Sequence, residues 1–181
     1  MALPKIPGKS YRDMVNLIET KRLQLLKDVY TTELMLAICW EETFFNNIKQ
    51  VPGTAVGFGQ AEPSEFWKLE TAHARAKGFF VPGLPRRHKT KEGTTSLLGT
   101  LTDEQSIQVM SAMLCQLHFD LSPNKQVVLG GYAGVAFSRQ IEKQVKDGKM
   151  TPEKAKKTDP LGVAGRLEKI NGFIRCERIL L

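Results

Sequence analysis

The chain has 181 residues, 41% of them apolar and 25% charged, so it is long enough for one sizeable core and unlike a disordered or collagen-like polymer. Its 26 basic and 19 acidic side chains give a net charge of +7. This charge favours an anionic partner such as nucleic acid, a membrane surface or an acidic cell-wall polymer, with simple solubility as the alternative. The three cysteines are too scattered for a disulfide framework or a zinc site, so we expect reduced, mostly buried thiols.

The N-terminal residues lack the apolar run of a secretory signal. The longest apolar run, residues 34–40, is too short to span a bilayer. We therefore expect synthesis in the cytoplasm and no membrane span.

Helical periodicity dominates the first half of the chain. Apolar spacing predicts a helix within residues 11–30 and a second over 32–45 that is apolar on nearly every face and therefore central to the core. Ser64 is a candidate cap for a helix that begins near Pro63. Glycines, prolines and basic residues predict a long loop over 78–100.

The second half contains further helix starts. Thr102 and Gln105 form a capping-box pattern, and Ser122-Pro123 combines a cap with a proline suited to the first helical position. A break or close crossing follows at residues 130–134. Other helices are predicted over 135–145 and from Thr151 and Asp159. Because strand-like alternation is scarce, the fold class is mainly α.

Basic side chains concentrate in residues 85–91. Three interpretations stay open for this segment: a solvated loop, a site for anionic cell-wall groups, or a contact with nucleic acid. It has no interleaved aromatic residues, which argues against a platform for single-stranded nucleic acid. We do not expect a nucleic-acid partner.

Two glutamates, Glu41 and Glu42, close the hydrophobic second helix. A carboxyl group there is partly desolvated, which raises its pKa and keeps it protonated near neutral pH. That is the requirement for a general acid. The ordinary alternative is a pair of solvated carboxylates at a helix end.

Two motifs add to this pattern: ETFFN at 42–46 and AVGFGQAEP at 55–63. Together they resemble the soluble lytic transglycosylases, a lysozyme-like family akin to the goose-type lysozymes. The resemblance covers roughly residues 30–145, and Gln60 follows Glu42 at the spacing typical of the family. A third motif is degenerate here, as GGYAG at 130–134.

The resemblance implies that Glu42 is the catalytic acid. With a one-residue shift of the third motif, Tyr132 takes the place of the family tyrosine near it, whereas without the shift Tyr132 stands in the place of the family asparagine. Gly59 stands where the family has methionine. Glu62 lies where goose-type lysozymes carry an aspartate, so it is a candidate second carboxylate or else a plain surface residue. The substrate-binding residues implied are Thr43, Phe45, Gly57, Phe58, Gln60, Glu62 and Tyr132.

The resemblance further implies a single-domain lysozyme-like helical fold with a substrate cleft. The segments expected are an N-terminal helical segment (1–30), a catalytic core (30–148) and a C-terminal helical segment packing on the core (149–181). Its activity would be cleavage of the β-1,4 bond between N-acetylmuramic acid and N-acetylglucosamine in peptidoglycan, with one glutamate as acid and base. Neither metal nor cofactor is expected, because the three histidines do not cluster at ligand spacing.

A non-catalytic wall-binding or secretion-apparatus module with the same fold is the alternative. Either would reach the periplasm or cell wall by delivery or lysis, as a phage endolysin or a secreted effector does. A delivered effector would imply an inhibitory immunity protein as a partner.

Overall fold

The computed structural model describes residues 8–50 and 53–180, and helices dominate this part of the chain, as predicted. The α-helices are α1 (Tyr11–Lys21), α2 (Thr32–Thr43), α3 (Ala72–Lys77), α4 (Asp103–Asp120), α5 (Lys125–Tyr132), α6 (Val135–Lys146), α7 (Pro152–Thr158) and α8 (Gly162–Leu180). A 3₁₀ helix covers Pro63–Glu70, and strands β1 (Arg87–Lys89) and β2 (Thr95–Leu97) form a hairpin.

Helix α2 is the centre of the core, as its sequence predicts. Its buried residues are Thr32, the run from Leu34 through Cys39, and Thr43. The Thr31 hydroxyl caps its start by accepting from the Leu34 N–H at 3.2 Å. Helix α8 packs along α2 more extensively than any other element, and α1 also packs on it. The last helix of the chain therefore encloses the helix that ends in Glu41 and Glu42.

The first helix is shorter than predicted. It ends at Lys21 rather than near residue 30, because Arg22 adopts an extended backbone with ψ of 155°. The Arg22 guanidinium donates to the Tyr30 carbonyl at 3.0 Å, and this hydrogen bond joins the two ends of the turns over residues 23–29. Leu26, in these turns, still packs against the core. Apolar periodicity alone therefore did not encode where the helix stops.

Two predicted helix caps were wrong. Helix α5 begins at Lys125, because Asn124 rather than Ser122 caps it, accepting from two backbone N–H groups. The start predicted near Pro63 is confirmed, as a 3₁₀ helix over Pro63–Glu70, but Ser64 lies inside this helix and does not cap it. The start predicted at Asp159 falls three residues before Gly162, where α8 begins.

The capping box at Thr102 and Gln105 is confirmed, with both reciprocal hydrogen bonds formed. Thr151 caps α7 as predicted, and α6 covers the predicted 135–145 segment. Cys39 and Cys115 are buried free thiols, as expected, whereas Cys176 is partly exposed. Within the described ranges, no helix is both long enough and apolar enough to cross a bilayer.

The predicted loop over 78–100 contains the β1–β2 hairpin, which the sequence reading missed. Arg87 pairs with Leu97 in the antiparallel register, and its guanidinium forms an ion pair with Glu70 at 2.5 Å. Three-residue strands are too short to show alternation clearly. Part of the basic cluster at 85–91 is thus held in a sheet instead of a flexible loop.

Candidate active site

Glu42 lies in the last turn of α2 with its side chain only 10% exposed. Both carboxylate oxygens accept hydrogen bonds from the Lys169 ammonium on α8, at 2.9 and 2.8 Å. The sequence predicted a shielded carboxyl at this position, and the structure places it in such surroundings. The sequence did not predict Lys169 as a neighbour of Glu42.

Burial raises the pKa of Glu42 above its ordinary value, and this is the largest influence on the group. Lys169 and, more weakly, Arg166 act in the opposite direction, whereas the neighbouring Glu41 adds to the rise. The net effect is a raised pKa. Glu42 therefore keeps its proton to higher pH than an exposed glutamate does, which suits a proton donor.

Backbone strain concentrates next to Glu42. Of the four non-glycine residues in the described ranges that have positive φ, Phe44 (54°) and Phe45 (61°) directly follow α2, and Gln60 (50°) lies in the 57–60 turn that Thr43 contacts. Left-handed backbone at a non-glycine residue costs about 1–3 kcal/mol and persists only where the surrounding structure enforces it. Such residues cluster at active sites, so this observation supports a functional role for the turn without reference to any family.

A short antiparallel segment follows this turn and brings Phe58 back to the end of α2. Val56 forms isolated bridges with Lys49 and with Ala61. The Gln60 side-chain amide donates to the Gly57 carbonyl at 2.9 Å and to the Ile48 carbonyl at 3.3 Å. Gln60 therefore fixes the 57–60 turn with its own N–H groups.

Thr43 connects the end of α2 to that turn. Its hydroxyl donates to the Phe58 carbonyl at 2.9 Å, and the Phe58 N–H donates to the Ser106 hydroxyl of α4 at 2.7 Å. Both Thr43 and Phe58 are buried. The 57–60 turn is thus clamped between the helix that carries Glu42 and α4.

Tyr132 joins the same site from α5. Its hydroxyl donates to the Gly59 carbonyl at 2.8 Å, and burial together with the nearby Glu42 carboxylate raises the pKa of Tyr132 well above its ordinary value. A Cβ on Gly59 would overlap the Tyr132 hydroxyl and approach the Met110 sulfur to 2.8 Å. The glycine that departs from the family motif is therefore the residue that leaves room for Tyr132.

Gly134, the last residue of the 130–134 segment, has a structural role of its own. Gly134 has φ of 74°, and a Cβ there would lie 2.8 Å from the Arg166 guanidinium. Arg166 donates to the Ala133 carbonyl at 2.5 Å and to Asp159 at 2.9 Å. Gly134 therefore admits the arginine that ties α8 to the end of α5, one turn before Lys169.

The remaining residues predicted to bind substrate are divided between core and surface. Phe45 and Phe58 are core residues, and Gly57 is buried, with φ of 83°. Glu62 is exposed and accepts from the Thr54 hydroxyl at 2.9 Å, which fits its interpretation as a surface residue. Trp40 and Trp67, which were not among the predicted binding residues, are exposed at 38% and 56%.

Comparison with known proteins gives no family assignment: no family model, curated protein or solved structure matches this chain. Among the described residues, no group of three or more His, Cys, Asp or Glu side chains is arranged to hold a metal ion. Function is therefore inferred from the environment of Glu42 and the residues that converge on it.

The close approach of Gly59 and Tyr132 gives a first prediction. Gly59→Ala should lower the free energy of unfolding by about 1–3 kcal/mol, because the added methyl overlaps the tyrosine hydroxyl. In a Tyr132→Phe background the same change should cost less, since that hydroxyl is gone. Urea unfolding of the four proteins in this double-mutant cycle measures the coupling.

Gly130→Ala is the matched control, because a Cβ at this helical glycine meets nothing within 4 Å. Helix propensity makes that variant neutral or more stable by up to about 1 kcal/mol. Equal tolerance of alanine at Gly59 and Gly130 would contradict the packing described for Tyr132.

Proposed function

We propose that this protein is a peptidoglycan-cleaving muramidase of the lytic transglycosylase type. The observation that carries the proposal is Glu42: one buried carboxyl with a raised pKa, at the end of an apolar helix and beside a strained turn. Thr43, Gln60 and Tyr132 support the same site through the 57–60 turn. The lysozyme-like fold with its cleft is part of this proposal.

Cleavage of a β-1,4 glycosidic bond needs a proton on the leaving oxygen and stabilisation of an oxocarbenium-like centre. Glu42 supplies the proton. The substrate's N-acetyl group assists at the sugar carbon, and the Glu42 carboxylate then accepts the proton of the sugar 6-hydroxyl as that oxygen attacks. The product is a 1,6-anhydro sugar, and Glu42 is protonated again.

This route needs no carboxylate nucleophile, which fits the observed surroundings. Glu62, the second carboxylate considered from the sequence, is exposed and bonded to Thr54. Glu41 accepts from the Cys176 thiol at 3.3 Å. A single glutamate serving first as acid and then as base is therefore the simplest chemistry for this site.

The net charge of +7 supports a polyanionic substrate, and peptidoglycan carries carboxylates on its muramic acid and stem peptides. In this proposal the enzyme acts in the periplasm or on the wall after delivery or lysis. An inhibitor in the producing cell would have to cover Glu42. No cofactor takes part.

A non-catalytic wall-binding module is the second candidate, and one observation favours it. The Lys169 ammonium occupies both Glu42 oxygens, as a purely structural ion pair does. A module of this kind would bind glycan strands without changing them.

Digestion of purified peptidoglycan, with mass spectrometry of the soluble fraction, separates these functions. We expect fragments that carry a 1,6-anhydro end and have gained no water. Fragments that have each gained one water would replace the transglycosylase by a hydrolase. Sedimentation of the protein with the wall and no release of fragments would establish the binding module, and neither binding nor release would refute both proposals.

A further inference from the structure

We propose that Lys169 is a positioning residue for Glu42: its ammonium orients the carboxylate and stabilises the anion that remains once Glu42 has donated its proton. This inference rests on the function proposed above. It assigns to α8, outside the region of family resemblance, a direct part in the chemistry of the site.

The geometry of the pair is the first argument. One ammonium donates to both carboxylate oxygens, at 2.9 and 2.8 Å, and only 27% of the Lys169 side chain is exposed. A contact so shielded from solvent is screened weakly by salt. An opposite charge this close favours the ionised carboxyl by roughly one to three pH units.

The second argument is that α8 is fixed in place independently of this ion pair. Arg166, one turn before Lys169, is bonded to the Ala133 carbonyl and to Asp159. Ile170 and Phe173 are part of the buried core. Lys169 therefore projects from a rigid element, as a group that must hold another side chain in place should.

The other groups around Glu42 leave Lys169 as the dominant charge. Arg166 acts on Glu42 from the same helix, more weakly, and Glu41 on α2 acts in the opposite direction. Cys39 on α2 and Tyr132 on α5 also interact with Glu42, but burial raises the pKa of each, so both are neutral at physiological pH. Removing the ammonium should therefore change Glu42 more than removing any other neighbour.

The chemistry explains why such a cation is useful. A glutamate that serves as acid and then as base must be protonated at the start and ionised in the middle of each turnover. Burial favours the first state, and the ammonium favours the second. Together they keep both states accessible in the same pH range.

The test is Lys169→Met, which keeps the length of the side chain and removes its charge. With no ammonium, the ionised form of Glu42 is less favourable, so its pKa rises and the carboxyl stays protonated to higher pH. Carbon-13 NMR titration of the Glu42 carboxyl should show a rise of roughly one to three pH units. The alkaline limb of the wall-cleavage profile should move in the same direction. At unchanged KM, kcat should fall roughly tenfold for each pH unit of lost stabilisation of the anion.

Two other variants complete the experiment. Lys169→Arg keeps the positive charge and should restore the Glu42 titration. Lys149→Met removes a lysine from an exposed pair with Asp147 at 3.9 Å and should change neither titration nor rate. Lys169→Gln, also uncharged, provides the same titration test if the methionine variant does not fold.

An unchanged Glu42 titration in the uncharged variants overturns the proposal. A shifted titration with unchanged kcat would also overturn it, because Lys169 would then pair with Glu42 without stabilising the carboxylate during turnover. The NMR titration needs no substrate, so it decides whether Lys169 controls Glu42 even if the wild-type protein cleaves no peptidoglycan. Absence of cleavage by the wild type, in contrast, refutes the proposed function alone.

Discussion

Glu42→Gln should lower wall-cleaving activity by roughly 10²- to 10⁴-fold, the contribution usual for a positioned proton donor or acceptor. The amide has nearly the shape of the carboxyl group but cannot transfer the proton. It can still accept a hydrogen bond from Lys169. The measurement is the initial rate of release of soluble fragments from purified peptidoglycan.

The same substitution should leave the melting temperature nearly unchanged near neutral pH. A raised pKa means that ionised Glu42 is less favourable in the folded protein than in the unfolded chain. Its contribution to stability is therefore complete below its ordinary pKa of 4.5 and is lost as pH rises through the raised value. In Glu42→Gln this pH-dependent loss of stability disappears, because glutamine does not titrate.

Glu41→Gln is the matched control, since it makes the same change one position earlier on α2. The Glu41 carboxylate accepts a hydrogen bond from the Cys176 thiol, whereas the Lys169 ammonium donates to Glu42. This variant should keep most of the activity. Equal loss in the two variants, or full activity in Glu42→Gln, would show that the proton donor has been assigned to the wrong residue.

The sequence predicted those elements whose signals are local. Helix α2 is apolar on nearly every face, so it can be stable only in the middle of the core. The capping box of Thr102 and Gln105 is contained within four residues. The stop of α1 at Lys21 depends on Arg22 reaching the Tyr30 carbonyl, which periodicity does not encode.

The candidate site shows the same division. Glu42 could be selected from its hydrophobic helix and the motif around it. Lys169 lies 127 positions away in a segment whose charges look like those of any solvated helix, so nothing local connects the two residues. Gly59 and Tyr132 each look like a departure from a motif. The structure shows that they belong together, because the missing side chain of Gly59 leaves the space that the Tyr132 hydroxyl occupies.

The buried ion pair between Arg166 and Asp159 gives the largest expected effect on stability. The Asp159 side chain is 2% exposed and bonds to the guanidinium at 2.9 Å. Arg166→Met leaves that carboxylate buried without its partner, which should lower the free energy of unfolding by about 3–5 kcal/mol. It also removes the bond to the Ala133 carbonyl that anchors α8. Urea denaturation followed by circular dichroism measures the loss.

Arg175→Met is the matched control, because Arg175 pairs with Glu168 at 3.6 Å on the surface, where both side chains are about two-thirds exposed. This change should alter stability by less than about 0.5 kcal/mol. Equal effects of the two arginine substitutions would show that Arg166 does not hold α8.

The double variant Asp159→Leu, Arg166→Met tests why the pair matters. In the described part of the chain, Asp159 Oδ2 and Arg166 Nε have no hydrogen-bond partner, so the pair is incompletely satisfied where it is buried. Apolar residues of similar volume avoid that cost, and the double variant should recover most of the stability lost by Arg166→Met alone. Recovery of stability without recovery of the Glu42 titration would mean that Arg166 acts on Glu42 through its charge. If the double variant were no more stable than the single one, the Ala133 contact would be the dominant contribution instead.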